Sequence, residues 1–217
     1  MSNIVTAIKG YARKLEKASV WTKSHEPVGL AMQGNKDFIY EFYSLLRIIE
    51  DLKSNYKIEY QAGPGKDGNK FPKGPASKKN KPFFKLFENE KLKYQICAGT
   101  KVKAAFDGKE VAPDISFQIA TSPEELPSYT DVRIIIDAKN SNVQQSQFDS
   151  FCMMIKNLKT EKAENEKLIF KKFAKVKGNC IISSGKAFTK NIKELEYHKL
   201  SEIENLKEND SPNIITW

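Results

Sequence analysis

A chain of 217 residues, 40% hydrophobic and 11% aromatic, is long enough for one well-packed core but short of the length at which two full domains become the default. Those fractions exclude wholesale disorder. Lys and Arg number 36 against 27 Asp and Glu, a formal net charge of +9, which favours encounters with polyanions such as nucleic acid or an anionic membrane face; solubility alone is the bland alternative.

No window approaches the roughly 18 apolar residues of a membrane span, and the start MSNIVTAIKGYARK lacks the apolar centre of a signal peptide. The expected address is cytoplasmic, with no membrane partner. Cys97, Cys152 and Cys180 are odd in number and far apart, which suggests buried, reduced thiols and neither a disulfide framework nor a zinc site.

In chain order, NIVTAIKGYARKLEKASVW alternates apolar and basic residues with helical period, and Pro and Gly in KSHEPVGLAMQGN then break it. This predicts a helical arm over residues 1–33. KDFIYEFYSLLRIIEDLKSN is amphipathic through Phe38, Ile39, Phe42, Leu45, Leu46, Ile49 and Leu52, and Asp37 near its start suits the helix dipole. YKIEYQA alternates as a strand.

The Gly-, Pro- and Lys-rich residues 62–82 then predict a basic, mobile loop without regular structure. FFKLFENEKLKYQICAGTKV predicts one or two strands, DGKE a turn, VAPDISFQI a further strand, and Pro123 and Pro127 bound a loop. DVRIIIDAK is β-branched through its middle and predicts a central strand covered on both faces, so helices lie on both sides of the sheet. Residues 144–175 read as helix, GNCIISSG as a buried strand, and 186–210 as a closing helical region.

Two carboxylates delivered to strand ends at the edge of a buried sheet make a hard oxygen site suited to Mg²⁺, with Mn²⁺ as a substitute. Asp114, at the mouth of one apolar strand, and Asp137, at the end of another, are the proposed ligands. Lys139, two residues from Asp137, projects to the same face of its strand, where it can orient or deprotonate water or steady a phosphate's growing charge. The Ala138 carbonyl between them is a further candidate ligand. A metal and a cation side by side are what phosphodiester hydrolysis requires.

Pro113-Asp114 followed by Asp137-Ala138-Lys139, in the order helix, strands, Pro-Asp strand, Asp-x-Lys strand, helix, strand, resembles the PD-(D/E)XK phosphodiesterase superfamily over roughly residues 36 to 195. The resemblance implies a restriction endonuclease-like α/β core, a mixed central sheet flanked by helices on both faces, over residues 34–217. Many members add an acid from the first core helix, which here implies Glu41, a carboxylate in an apolar aromatic stretch where idle burial is costly. The phrase YEFYSLLRIIEDL is similar to the helix that opens the nuclease domain of modification-dependent restriction systems.

By the same resemblance, Gln144, Gln145 and Gln147 begin the helix where relatives place a Gln near the substrate phosphate, Gln145 being the candidate; an ordinary polar helix start is the alternative. Ser183, Ser184 and Lys186 read better as a strand-to-helix turn than as a phosphate site. Lys66, Lys70, Lys73, Lys78, Lys79 and Lys81 could lie along a phosphate backbone, with Phe71 among them as a base-stacking candidate.

The reading is therefore a Mg²⁺-dependent endonuclease acting on DNA in a restriction or phage-defence role, as a homodimer or with a partner subunit. Two alternatives stay open: a non-catalytic nucleic-acid-binding subunit on the same fold, and a scaffold that docks an acidic protein. His25 and His198 are the only histidines, which disfavours His-dependent hydrolases, and no phosphate-binding Gly-x-x-x-x-Gly-Lys-Ser/Thr is present.

Overall fold

The structure is a computed structural model, and it describes residues 2–21, 25–31, 33–65, 68–160, 168, 170, 171, 173, 174, 176, 178–188 and 192–207. It begins with three helices, α1 (Ser2–Lys17), α2 (His25–Ala31) and α3 (Lys36–Leu52). Asn35 starts α3 by accepting the Phe38 N–H at 2.8 Å, which satisfies one of the amides that a helix start leaves unpaired. Nearly every residue of α3 is buried because the helix lies between α1 and the central sheet. Ile8, Ala12 and Leu15 of α1 join the same core, so the N-terminal helix is packed onto α3.

Among the described residues one seven-stranded sheet forms the centre. Its strands are β1 (Lys57–Gln61), β2 (Phe83–Glu88), β3 (Lys91–Ala98), β6 (Ile115–Ile119), β7 (Val132–Lys139), β8 (Asn179–Ser183) and β9 (Leu200–Ile203), adjacent in that order. The pairs from β1 to β7 are antiparallel, and β7–β8 and β8–β9 are parallel. The sheet is thus mixed and the fold α/β. Two short strands, β4 (Val102–Lys103) and β5 (Glu110–Val111), pair with each other apart from it.

Both faces of the sheet are covered, as the run of isoleucines in β7 requires. Ile134, Ile136 and Ala138 belong to the core under α3, whereas Val132 and Ile135 pack with Phe148, Phe151, Ile155 and Leu158 of α4 (Gln145–Leu158). A register shift opposite Arg133 accounts for the break in strict alternation at the start of the strand. On the α3 side Trp21, fully buried, meets the rings of Phe42, Tyr60, Phe71 and Phe84.

Four local expectations change. VAPDISFQI is not one strand: Val111 ends β5, and β6 begins only after Pro113 and Asp114. The helix expected over 144–175 stops at Leu158, where Lys159 turns left-handed at φ 52° and closes the end by donating to the Ile155 and Lys156 carbonyls. Residues 161–167, 169, 172, 175 and 177 lie outside the described residues, but Leu168, Phe170, Phe173 and Val176 are buried without belonging to a helix. Among its described residues the closing region contains only α5 (Ile192–His198) before Lys199, at φ 55°, turns the chain into β9; residues 189–191 and 208–210 lie outside the described residues.

The fourth change concerns residues 62–82, which, apart from 66 and 67 outside the described residues, are not a structureless loop. Phe71 and Pro72 are buried, Ala76 forms a parallel bridge with Thr100, and Lys78–Asn80 makes a turn of 3₁₀ helix. An aromatic side chain and two prolines are enough to anchor a segment whose composition otherwise reads as solvated.

Candidate active site

The register of β6 against β7 builds the site. Ile115 pairs with Ile136, so Asp114, one residue before β6, arrives beside Asp137 across the ladder. Asp114 Oδ2 accepts the Ala138 N–H at 2.8 Å, and the Asp114 carbonyl accepts the Gly99 N–H at 2.9 Å. Its backbone and carboxylate are thus each held by a neighbouring strand end.

Asp137 and Lys139 share one side of β7, as residues two apart on a strand must. Lys139 Nζ donates to Asp137 Oδ1 at 2.8 Å and lies 3.8 Å from Asp114 Oδ2. Asp137 is 7% exposed, and its Oδ2, also 2.8 Å from the ammonium, is buried without a hydrogen-bond partner. Glu41 comes from α3, half-buried between Tyr40 and Phe42, and borders a narrow cleft with Asp114, Phe71, Pro72 and Gly99. Asp114, Asp137 and Lys139 are therefore neighbours, and Glu41 lies close enough for its charge to act on theirs.

Crowding sets the electrostatics. Burial pushes the Asp114 carboxyl well above the usual carboxylate range, and the charges of Asp137 and Glu41 push it further, against the pull of Lys139 and the Ala138 N–H. Glu41 is raised for the same reasons, burial first, with Lys139 opposing and Asp137 and Asp37 adding. Burial works against the Lys139 ammonium, but Asp137, Asp114 and Glu41 together outweigh it and the net shift is upward. Three acids thus share one cation, and negative charge is left in excess.

The side chains fit a hard dication in kind. Carboxylate oxygens are what Mg²⁺ takes, Asp137 Oδ2 is buried with the Lys139 ammonium 2.8 Å away, and the cleft beside Glu41 and Asp114 has room for barely one water-sized particle. As the side chains stand, no group of three His, Cys, Asp or Glu among the described residues is drawn closely enough together to hold a metal ion. The Lys139 ammonium occupies the space between the two aspartates, so a dication entering there must turn the lysine aside.

The other candidates separate. Lys70, Lys73 and Lys81 border one hollow together with Gln33, Phe71 and Pro72. Lys78 is a correction. It is 2% exposed, and its ammonium donates to Gln118 Oε1, Ser122 Oγ and the carbonyls of Ser122 and Pro123 at 3.1–3.3 Å, so no phosphate can reach it. Lys79 is exposed and ion-paired with Glu125 at 2.6 Å. Lys66 lies outside the described residues. Phe71, at 5% exposure, is core and not a stacking platform.

Gln145 directs its amide along α4 to Asp149 Oδ1 at 2.9 Å, and Gln144 and Gln147 close a capping box at the helix start. Ser183 ends β8 and Ser184 begins the turn after it, with Ser184 donating to Asn140 Oδ1 at 3.4 Å and the Lys186 N–H to Asn142 Oδ1 at 2.8 Å. All three cysteines are buried and free; burial lifts the Cys97 and Cys152 thiols to about 11 and Cys180 higher still, so none is a ready nucleophile.

Sequence reasoning did not single out Gly99, or the polar cluster of Ser116, Gln118 and Ser122 that receives Lys78. The signal for the second was present, since Ser116 and Gln118 alternate with apolar residues in ISFQI and mark a polar face. Comparison of the chain with protein-family models, with curated proteins and with solved structures finds no match in any of the three.

Proposed function

We propose that the chain is a metal-dependent nuclease of the PD-(D/E)XK kind, built on a restriction endonuclease-like core and hydrolysing phosphodiester bonds of DNA. One observation carries the reading: Asp114 and Asp137 from the paired ends of two interior strands, Glu41 from the adjoining helix and Lys139 are gathered at one buried end of a mixed sheet. A chain that used only its basic surface to bind nucleic acid would gain nothing from gathering three carboxylates there, because they repel phosphate.

In this reading Asp114, Asp137 and Glu41, with the Ala138 carbonyl, hold Mg²⁺. The ion, when bound, polarises a phosphate and lowers the pKa of its water. The chain's own contribution is placement. The Ala138 N–H fixes the Asp114 carboxylate and the Gly99 N–H its backbone, so Asp114 itself has little reorganisation left to make. Lys139, on the same edge, sets a positive charge against the negative charge that grows on the phosphate. A defence role, and a partner or second copy for cutting two strands, belong to the same proposal.

The test is cleavage of plasmid and of single-stranded DNA by purified protein with Mg²⁺, Mn²⁺ or EDTA. Asp137→Ala is expected to lose at least about a hundredfold in cutting while still retarding DNA on a gel. A variant that cuts at the wild-type rate would remove the assignment. DNA retarded but never cut by the wild type would favour a binding subunit on this fold.

A further inference from the structure

The carboxylate edge is a poor place for a polyanion to bind, because uncompensated negative charge repels phosphate. Binding energy for a substrate must therefore come from a neighbouring surface, and be held in fixed relation to the acids. The hollow bordered by Lys70, Lys73 and Lys81 has both properties. Phe71 and Pro72 line it and also line the cleft of Glu41 and Asp114. One buried two-residue wall thus has cations on one side and carboxylates on the other.

The wall is tied down. The Ala76 N–H donates to the Gly99 carbonyl at 3.0 Å, the Lys101 N–H donates to the Ala76 carbonyl at 2.9 Å, and Gly99 itself holds Asp114. Further along, the buried ammonium of Lys78 plugs the segment into the oxygens of Gln118, Ser122 and Pro123. One lysine of the run is withdrawn from the surface, and its burial fixes the frame in which Lys73 and Lys81 stand. A cationic hollow that is already ordered loses little entropy on capturing an anion.

We propose that the hollow of Lys70, Lys73 and Lys81 holds a phosphodiester of the same polynucleotide strand whose neighbouring linkage lies at the mouth of the carboxylate cleft. This deepens the nuclease reading and rests on it. Lys79, paired with Glu125, takes no part. The substrate is then a polymer with at least one phosphate beyond the reacting one, and isolated phosphate esters are poor substrates.

The experiment has two arms. In EDTA, anisotropy of a fluorescent single-stranded deoxyoligonucleotide is titrated with wild type, with Lys73→Ala/Lys81→Ala, and with Lys91→Ala/Lys156→Ala as a control of equal charge change at exposed positions. The first variant is expected to bind about tenfold more weakly, with the slope of log K against log salt reduced by about 0.7 per lysine; the control should fall short of both. Equal losses in the two variants overturn the proposal, since net charge alone then explains the affinity.

With Mg²⁺, a single neutral methylphosphonate is walked along the same oligonucleotide. One position flanking the cut is expected to slow wild-type cleavage about tenfold and to slow the Lys73→Ala/Lys81→Ala variant no further. Slowing of equal size in both proteins, or at no flanking position, overturns the shared-strand path. Lysine-dependent binding without any cutting by the wild type overturns the nuclease reading instead, and with it the path to the mouth of the cleft.

Discussion

Gly99 grips Asp114 through the backbone: its N–H donates to the Asp114 carbonyl at 2.9 Å while its own carbonyl takes the Ala76 N–H at 3.0 Å. One small residue therefore joins the acidic edge to the basic wall. Its φ of 52° lies in the left-handed region, and a Cβ there would come within 3.1 Å of Pro72 Cγ and 3.3 Å of the Gly74 carbonyl. Gly99→Ala is expected to cost about 1–2 kcal/mol in urea unfolding and to slow cleavage beyond what the lost stability explains, because Asp114 and the wall move together. Normal cleavage by a destabilised variant would separate the two roles.

The excess of negative charge at the site predicts a response to metal that needs no catalysis to detect. Mg²⁺ is expected to raise the thermal midpoint of the wild type. Asp114→Asn, which keeps an oxygen for the Ala138 N–H and removes one charge, should be more stable in EDTA by about 1 kcal/mol, start from a correspondingly higher midpoint and gain little from Mg²⁺. If both proteins respond alike to the ion, Asp114 is not among its ligands.

Lys78 predicts a dependence on pH far from the carboxylates. Burial holds its pKa below 10.5, so the folded chain binds that proton less tightly than the unfolded chain. Its charge opposes folding below the folded pKa, and that opposition fades as pH rises toward 10.5. Wild-type stability relative to Lys78→Met should therefore be level at neutral pH and below, then increase as pH climbs toward 10.5. Urea unfolding of both proteins across that range reads the difference, and parallel curves would count against the effect.

Arg47 of α3 is 3% exposed, donates to Tyr43 Oη at 2.7 Å, and lies over the ring of Tyr11 from α1; its Nη2 has no hydrogen-bond partner. A buried cation so thinly supported is expected to be replaceable. Arg47→Met should be neutral or stabilising by about 1 kcal/mol, whereas Tyr43→Phe, which removes the acceptor and leaves the charge, should cost about 1–3 kcal/mol. Chemical denaturation of the two variants distinguishes a tolerated charge from one that secures α1 to α3.

The pieces of the site that could be read from the sequence are those governed by short periods. Asp137 and Lys139 follow a β-branched run with the two-residue spacing of a strand, and Asp114 follows a proline at the start of another. Glu41 stands out as a carboxylate among aromatics. What escaped depends on contacts between distant segments. Lys78 reads as surface because lysine is surface by default, and only the polar face of β6, some 40 residues later, gives its ammonium a destination. The end of α4 was hidden because the lysines and apolar residues after Leu158 continue a helical rhythm. LSEI was absorbed into a helix because four residues are too few to show a period.

The sheet's mixed order bears on how the protein comes to be folded. Its strands from β1 to β7 are joined to their neighbours in chain order, apart from the small excursion through β4 and β5, so each pairing closes a connection shorter than the one that follows β7. The parallel additions of β8 and β9 each need a crossover, and the one from Lys139 to Asn179 is the longest connection in the sheet, so it closes more slowly. Asp114 and Asp137 therefore meet within the part of the chain that can pair first, and β8, which covers the other edge of β7, arrives on an edge whose chemistry is already in place. During synthesis the carboxylate pair would form before the C-terminal strands have left the ribosome.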